Sequence, residues 1–379
     1  MPRRTLPLPR QPHVITAPLT TPYLELDVRA AVDRFVELTA ALSGTAVHYA
    51  VKANPDPRLL SELAAVGCRF DVASPAEVRA VISAGGRAAD VVYSNPVKRR
   101  DHIVEAADLG VRLFVVDSMP EVHKVAEAAP GTAVLCRLVT SGDGSDWPLS
   151  RKYGCSVAEA VEVLTRAAYL GLEAAGVSFH VGSQQRDPDA WGKPIDAAAR
   201  VFALLRRRDL RPRLLDMGGG FPAVYDERCP STRAYGEAIA GHLHRAFGES
   251  VPATIVEPGR GIVGDAGTLV STVIGVIERA GVRWVFLDAG VFTGLVETLG
   301  EAIRYRLTTS ADGPNGPCVL AGPTCDSTDV LYEERMVALP LSLTEGDEVR
   351  LLSAGAYTSC YSSVGFNGFA PLPTVLSAT

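Results

Sequence analysis

Residues 47–94, VHYAVKANPDPRLLSELAAVGCRFDVASPAEVRAVISAGGRAADVVYS, decide the fold. Three short apolar or β-branched runs, Val47–Val51, Arg69–Val72 and Val91–Tyr93, are separated by two alanine- and leucine-rich stretches, Pro57–Ala65 and Pro75–Ala84. Proline at the first helical position starts each of the two stretches, while short apolar runs bounded by turn residues read as strands buried on both faces. Strand, helix and strand in this rhythm build a parallel sheet with crossover helices.

The rhythm extends in both directions. A helix is expected over Arg29–Leu42, and further strands over Leu113–Val116, Val134–Leu138, Gly176–His180, Leu214–Met217 and Thr254–Val256, with helices such as Val157–Ala168 and Ala197–Arg206 between them. About eight strands favour a closed barrel over an open sheet. After residue 265 the texture changes to strand-like runs broken by glycine and proline: Leu269–Ile277, Trp284–Asp288, Pro317–Ala321 and Glu348–Ser353. The expected division is a barrel over 28–264 and a β domain over 265–379, joined by a strand from 13–27 that includes the strand-like Val14–Leu26.

The 379 residues are 47% hydrophobic and 21% charged, with a formal net charge of −6, so there is no basic field to hold nucleic acid or an anionic membrane. No run of about 18 apolar residues is present to span a bilayer. Met1 to Pro12 is basic and proline-rich without an apolar core behind it, and reads as a frayed arm rather than a signal peptide. Seven cysteines, none in a CxxC pair, read as reduced cytoplasmic thiols, and neither cysteine nor histidine recurs at metal-ligand spacing.

In a barrel of this kind, chemistry sits where strands give way to the following loops. The first strand runs into His48-Tyr49-Ala50-Val51-Lys52-Ala53-Asn54-Pro55, which places a lysine at the mouth. Poor solvation there would lower its pKa and free the amine to attack an aldehyde, although a lysine snorkelling from a loop looks the same in sequence. Asp216-Met217-Gly218-Gly219-Gly220-Phe221-Pro222 closes the seventh strand, and Glu257-Pro258-Gly259-Arg260 the eighth. Glycines admit backbone N–H groups to a phosphate and a guanidinium grips it bidentately, so the two together suggest a phosphate site; a glycine triplet alone is a turn. Gly259 to Gly264 also fits the dinucleotide pattern, but no further parallel unit follows it. His180 closes the sixth strand, either packed in a layer or placed to stack on a flat ring.

The chain resembles the ornithine, diaminopimelate and arginine decarboxylase family of fold type III pyridoxal-phosphate enzymes, and bacterial barrel-type ornithine or lysine/ornithine decarboxylases in particular. The resemblance covers nearly the whole chain. It rests on Tyr49-Ala-Val-Lys52-Ala-Asn, Phe70-Asp71-Val-Ala-Ser74, Ser178-Phe-His180-Val-Gly-Ser183, Gly218-Gly-Gly-Phe-Pro222, Glu257-Pro-Gly-Arg260, Gly322-Pro-Thr-Cys325-Asp326, Gly355-Ala-Tyr357-Thr and Phe366-Asn-Gly-Phe369, in that order. Asp146-Trp-Pro-Leu-Ser-Arg-Lys-Tyr-Gly154 and His180-Val-Gly-Ser-Gln-Gln-Arg-Asp187 point to the bacterial group.

The resemblance implies a cofactor-binding (β/α)8 barrel plus a C-terminal β-sandwich or β-barrel domain, as in alanine racemase. It implies that Lys52 carries pyridoxal 5'-phosphate as a Schiff base and that His180 stacks on its ring. Ser183, Gly219, Gly220, Arg260 and Tyr357 would bind the phosphate, Asp71, Glu77 and Arg137 surround the cofactor, and Glu257 keep the pyridine nitrogen protonated. Racemases of this fold use an arginine at that last position, which argues against racemisation, and the retained lysine and cysteine argue against an inactive regulatory homologue. Cys325 and Asp326 would reach across a homodimer, one as proton donor and the other binding the substrate's distal ammonium, with Glu301 and Phe292 on the substrate side. From residue type alone, Cys325 also reads as a buried small hydrophobe and Glu301 as a solvated charge. An aspartate after the cysteine disfavours a substrate with a distal carboxylate, leaving ornithine, lysine or a modified basic amino acid. Gly300 departs from the aspartate or aromatic residue common in relatives and widens that choice.

Overall fold

The computed structural model describes residues 20–147, 152–225 and 229–377. Eight parallel strands, Thr45–Ala50, Arg69–Val72, Val92–Tyr93, Leu113–Val116, Ala133–Arg137, Glu173–Ser178, Leu214–Asp216 and Ala253–Val256, pair in chain order, and the last returns to the first with Thr254 opposite Thr45. The sheet is therefore a closed barrel. Helices cover its outside, and local chemistry starts two of the first: Asp56 accepts from the N–H groups of Arg58 and Leu59 ahead of Pro57, and Ser74 accepts from Glu77 N ahead of Pro75. Their apolar faces, with Phe35, Leu59, Val78, Ile103, Leu164 and Phe202, bury against the strands. Inside the barrel Val92, Val115, Leu135, Leu214 and Ile255 form a smaller cluster that fills the end opposite the strand–loop junctions.

A second sheet has eight strands, mostly antiparallel, in a path that runs from Arg306–Thr309 through Glu348–Leu352, Gly267–Arg279, Val282–Leu287 and Asn315–Ala321 to Val330–Pro340. The early strand Tyr23–Leu26 pairs antiparallel with Gly267–Arg279, Tyr23 opposite Val270, and parallel with Thr374–Leu376, so both ends of the described chain meet in this sheet. Leu24, Leu269, Val285, Tyr332 and Leu351 build its core.

Of the expected strand over Val14–Leu26, residues 20–22 are not strand and Tyr23–Leu26 is, while residues 14–19 lie outside the described residues, as does the arm 1–12. Gly259 to Gly264 forms the short helix Arg260–Val263, after which the chain enters the second sheet, so no dinucleotide-type unit is built there. Among the described residues no helix is long and apolar enough to cross a membrane.

Candidate active site

A cavity of about 500 Å³ opens where the barrel strands end, and Lys52, Arg137, His180, Ser183, Gly219, Gly220, Glu257, Arg260 and Tyr357 all line it. Residues scattered over 300 positions meet there because those of the barrel lie beyond its strand ends on one face, while Tyr357 comes from the chain that follows Glu348–Leu352 of the second sheet. Lys52 sits in the turn Val51–Ala53 after the first strand. That turn is pinned to the far end of the chain: Asn54 Nδ2 donates to Gly355 O at 3.0 Å and Tyr357 N donates to Ala53 O at 2.8 Å.

The lysine's electrostatics differ from the expectation of a lowered pKa. Burial alone would lower it, but Asp71, Tyr357 and Glu257 outweigh burial and raise it. Asp71 dominates that group, with its carboxylate 2.7 Å from Lys52 Nζ and itself held by the Ser94 hydroxyl. Lys52 is thus an ion-paired cavity residue and not a lysine snorkelling from a loop.

His180 is neutral: burial first, then Arg137 and Lys52, push its pKa well below the ordinary imidazole value. Its Nδ1 accepts from Gly182 N at 3.0 Å, which leaves the hydrogen on Nε2. Gly219 is required beside it, because a Cβ there would lie 2.7 Å from Glu257 O and 3.0 Å from His180 Nε2. Gly220 has φ +112°, a conformation side chains rarely adopt.

Glu257, 8% exposed, is pushed well above the ordinary carboxyl range by burial, then by Asp216 and Asp71. Asp216 lies against it at the end of the seventh strand, and burial pushes its own carboxyl up to about 6. One oxygen of each, Glu257 Oε1 and Asp216 Oδ2, is buried without a separate donor, the arrangement of two carboxyls that share a proton. Asp216 and Ser94 were not among the residues singled out from sequence, although Asp216 opens the glycine segment.

Arg260 donates to Ser183 Oγ, Tyr225 OH and Glu297 from a nearly closed pocket. Glu297, which lines the cavity, is a third residue the sequence reading passes over. Glu301, expected on the substrate side, stands four residues on and does not line the Lys52 cavity. It borders a separate polar cavity of about 670 Å³, and its Oε1 accepts from the backbone N–H groups of Glu333, Glu334 and Arg335. It is buried and not a solvated charge. Glu301→Gln is expected to cost about 1–3 kcal/mol of stability by weakening buried charge-assisted bonds, and to leave substrate preference unchanged; thermal melts and the ratio of rates on two diamino acids check both.

Glu77 stands behind the lining as a helix cap, its Oε2 accepting from Ala73 N at 2.6 Å. Cys325 is exposed, not a buried hydrophobe, and its Sγ accepts from Asn367 Nδ2 at 3.0 Å. Asp326 accepts from Thr328 N at 2.8 Å, and Phe292 packs on Phe366 with ring centres 4.5 Å apart. None of these three lines the Lys52 cavity.

Comparison with known proteins agrees with this geometry. Residues 28–264 match the profile of the pyridoxal-dependent decarboxylase family, pyridoxal binding domain. A lysine/ornithine decarboxylase of Selenomonas ruminantium is 35% identical over 360 residues, covering 94% of this chain and 90% of that protein. The lysine/ornithine decarboxylase of Vibrio vulnificus, solved with cadaverine, superposes with a TM-score of 0.85 at 34% identity, covering 95% of each chain. The Paramecium bursaria Chlorella virus arginine decarboxylase bound to agmatine gives 0.87 at 29% identity over 95% of this chain and 98% of the other. A lysine, an acid pair and a glycine–arginine cradle on one barrel mouth, with kinship of this extent, mean that the chain belongs to the pyridoxal-dependent decarboxylase family.

Proposed function

We propose that the chain decarboxylates a basic L-amino acid, L-ornithine to putrescine or L-lysine to cadaverine, as a cytoplasmic homodimer with sites shared between subunits. The observation that carries this reading is the convergence of Lys52, Glu257 and the Gly219–Gly220–Arg260 cradle on one cavity. These residues fit pyridoxal phosphate: the cradle has no room for a Cβ at Gly219, a neutral imidazole faces the cavity, and Glu257 of the buried acid pair lines the same cavity as the lysine. When bound, pyridoxal phosphate supplies an aldehyde for the substrate's amine and a conjugated ring that receives the electron pair left by carbon dioxide.

The chain's own residues do the rest. Lys52 would hold the aldehyde carbon, with Asp71 fixing its Nζ, and Glu257 would meet the ring nitrogen with the proton it shares with Asp216. His180 would cover one ring face, Arg137 border it, and Ser183, Gly219, Gly220, Arg260 and Tyr357 enclose the phosphate. Glu77 would support the lysine side by capping the helix that begins behind Asp71.

The exposed thiol of Cys325 lies outside the Lys52 cavity, which supports a site completed by a second copy. There Cys325 would return a proton to carbon, Asp326 would take the distal ammonium, and Phe292 would form an apolar wall. An acid at that place suits a cationic tail and repels a second carboxylate. We assign the coenzyme to residues 28–264 and the subunit-crossing groups to 265–379, joined by 13–27. Seven free thiols suit a reducing compartment.

The test is carbon dioxide release by the coenzyme-loaded protein on ornithine, lysine, arginine and diaminopimelate, with sedimentation to give its size. Release from ornithine or lysine above the other two by a dimer is expected. Preference for diaminopimelate, or inversion of substrate without carbon dioxide, overturns the reading.

A further inference from the structure

Arg260 is 2% exposed, and nearly all of its donors are committed. Nε and Nη2 reach Ser183 Oγ at 3.2 Å, Nη1 reaches Tyr225 OH at 2.8 Å, and Nη2 reaches both carboxylate oxygens of Glu297 at 2.6 and 2.8 Å. The Tyr357 ring covers the guanidinium, 5.0 Å from its centre. A guanidinium has five N–H groups, and this set of partners leaves one on Nη1 without a bond of its own. The bidentate grip through which arginine recognises phosphate is therefore not available while Glu297 keeps its place. Glu297 is itself 3% exposed and comes from the turn Val296–Glu301, 37 residues further along the chain, so the pair is a deliberate tertiary contact between two buried charges.

We propose that Glu297 is an internal counterion that competes with the coenzyme's phosphate for Arg260. Its carboxylate keeps the arginine oriented toward Ser183 and stabilises the chain before loading. The same negative charge opposes an incoming phosphate dianion, so Glu297 sets how tightly the coenzyme is retained. Glu297 is in this sense a positioning residue: it acts through Arg260. The proposal rests on the reading that Arg260 faces the phosphate.

The test compares binding of pyridoxal phosphate and of unphosphorylated pyridoxal to the full chain after coenzyme removal, by absorbance titration. Glu297→Gln preserves shape and removes the charge. It is expected to tighten pyridoxal phosphate about tenfold, the size of effect one close charge has on another's ionisation, and to leave pyridoxal unchanged. The stripped variant should melt below the stripped parent and gain more from pyridoxal phosphate. Glu297→Asp should behave in the same direction with a smaller change. An unchanged preference for pyridoxal phosphate over pyridoxal in Glu297→Gln, or a weakened one, overturns the proposal. If the variants fold only with pyridoxal phosphate present, the proposal stands, because phosphate has replaced the lost counterion; if they do not fold even at saturation, it fails. Arg260→Met separates the two layers: loss of the phosphate preference in that variant upholds the phosphate reading, and its persistence removes that reading and the proposal together.

Discussion

Lys52→Ala is expected to lose covalent coenzyme and to drop turnover on ornithine or lysine by roughly a thousandfold or more, about 4 kcal/mol of barrier. Lys52 is the lysine that the first barrel strand delivers to the centre of the mouth, 2.7 Å from a carboxylate whose own side chain is fully enclosed. Lys152 also borders the cavity, but its Nζ lies over the Tyr153 ring, 5.0 Å from its centre. Lys152→Ala should therefore keep the covalent link. Borohydride fixation followed by peptide mass analysis reads the attachment point directly. A tag elsewhere than Lys52, with parent-rate turnover in Lys52→Ala, would falsify the assignment. Asp71 adds a second expectation to the same experiment. It holds the amine charged, so Asp71→Asn should free the amine yet misplace it, with slower coenzyme loading rather than faster.

The barrel and its mouth were legible for a physical reason. Parallel strands are buried on both faces, so Arg69–Val72 and Leu113–Val116 stand out as apolar runs and form strands residue for residue as read. Strand ends then place Lys52, His180, Glu257 and Arg260 on one face without further information. What sequence did not reveal depends on tertiary contacts. Glu297 and Glu301 are two acids four residues apart in Glu297-Thr298-Leu299-Gly300-Glu301, and which one turns inward depends on the φ of +62° at Gly300 and on the N–H groups of Glu333, Glu334 and Arg335. The strand that offers those groups, Val330–Pro340, was not singled out, because charges in its middle break the apolar run. The charge state of Lys52 likewise depends on a tertiary contact, because the neighbouring strand brings Asp71 to its amine and outweighs the burial that sequence position implies.

Glu257→Gln is expected to lower turnover about a hundredfold, the usual size of a lost proton-holding group, while coenzyme stays attached at Lys52. A neutral amide at this place cannot hand a proton to a ring nitrogen, and the electron sink weakens with it. Asp216 makes the effect testable in a second way. Both carboxyls bind a proton more tightly in the folded chain than in the unfolded one, Asp216 up to about 6, because burial disfavours two adjacent negative charges. The contribution of each to stability is therefore fully present below the unfolded carboxyl range, about 4, and is lost as pH rises, that of Asp216 through about 6. In coenzyme-stripped protein, Asp216→Asn should gain stability relative to the parent across that window, read by denaturant unfolding at pH 4 to 8. Loading should shrink the difference, since a basic nitrogen against Glu257 turns the cost of its charge into an ion pair. Parallel pH slopes for parent and variant, together with parent-rate turnover by Glu257→Gln, would mean that the two acids are only neighbours in a core and that some other group meets the ring nitrogen.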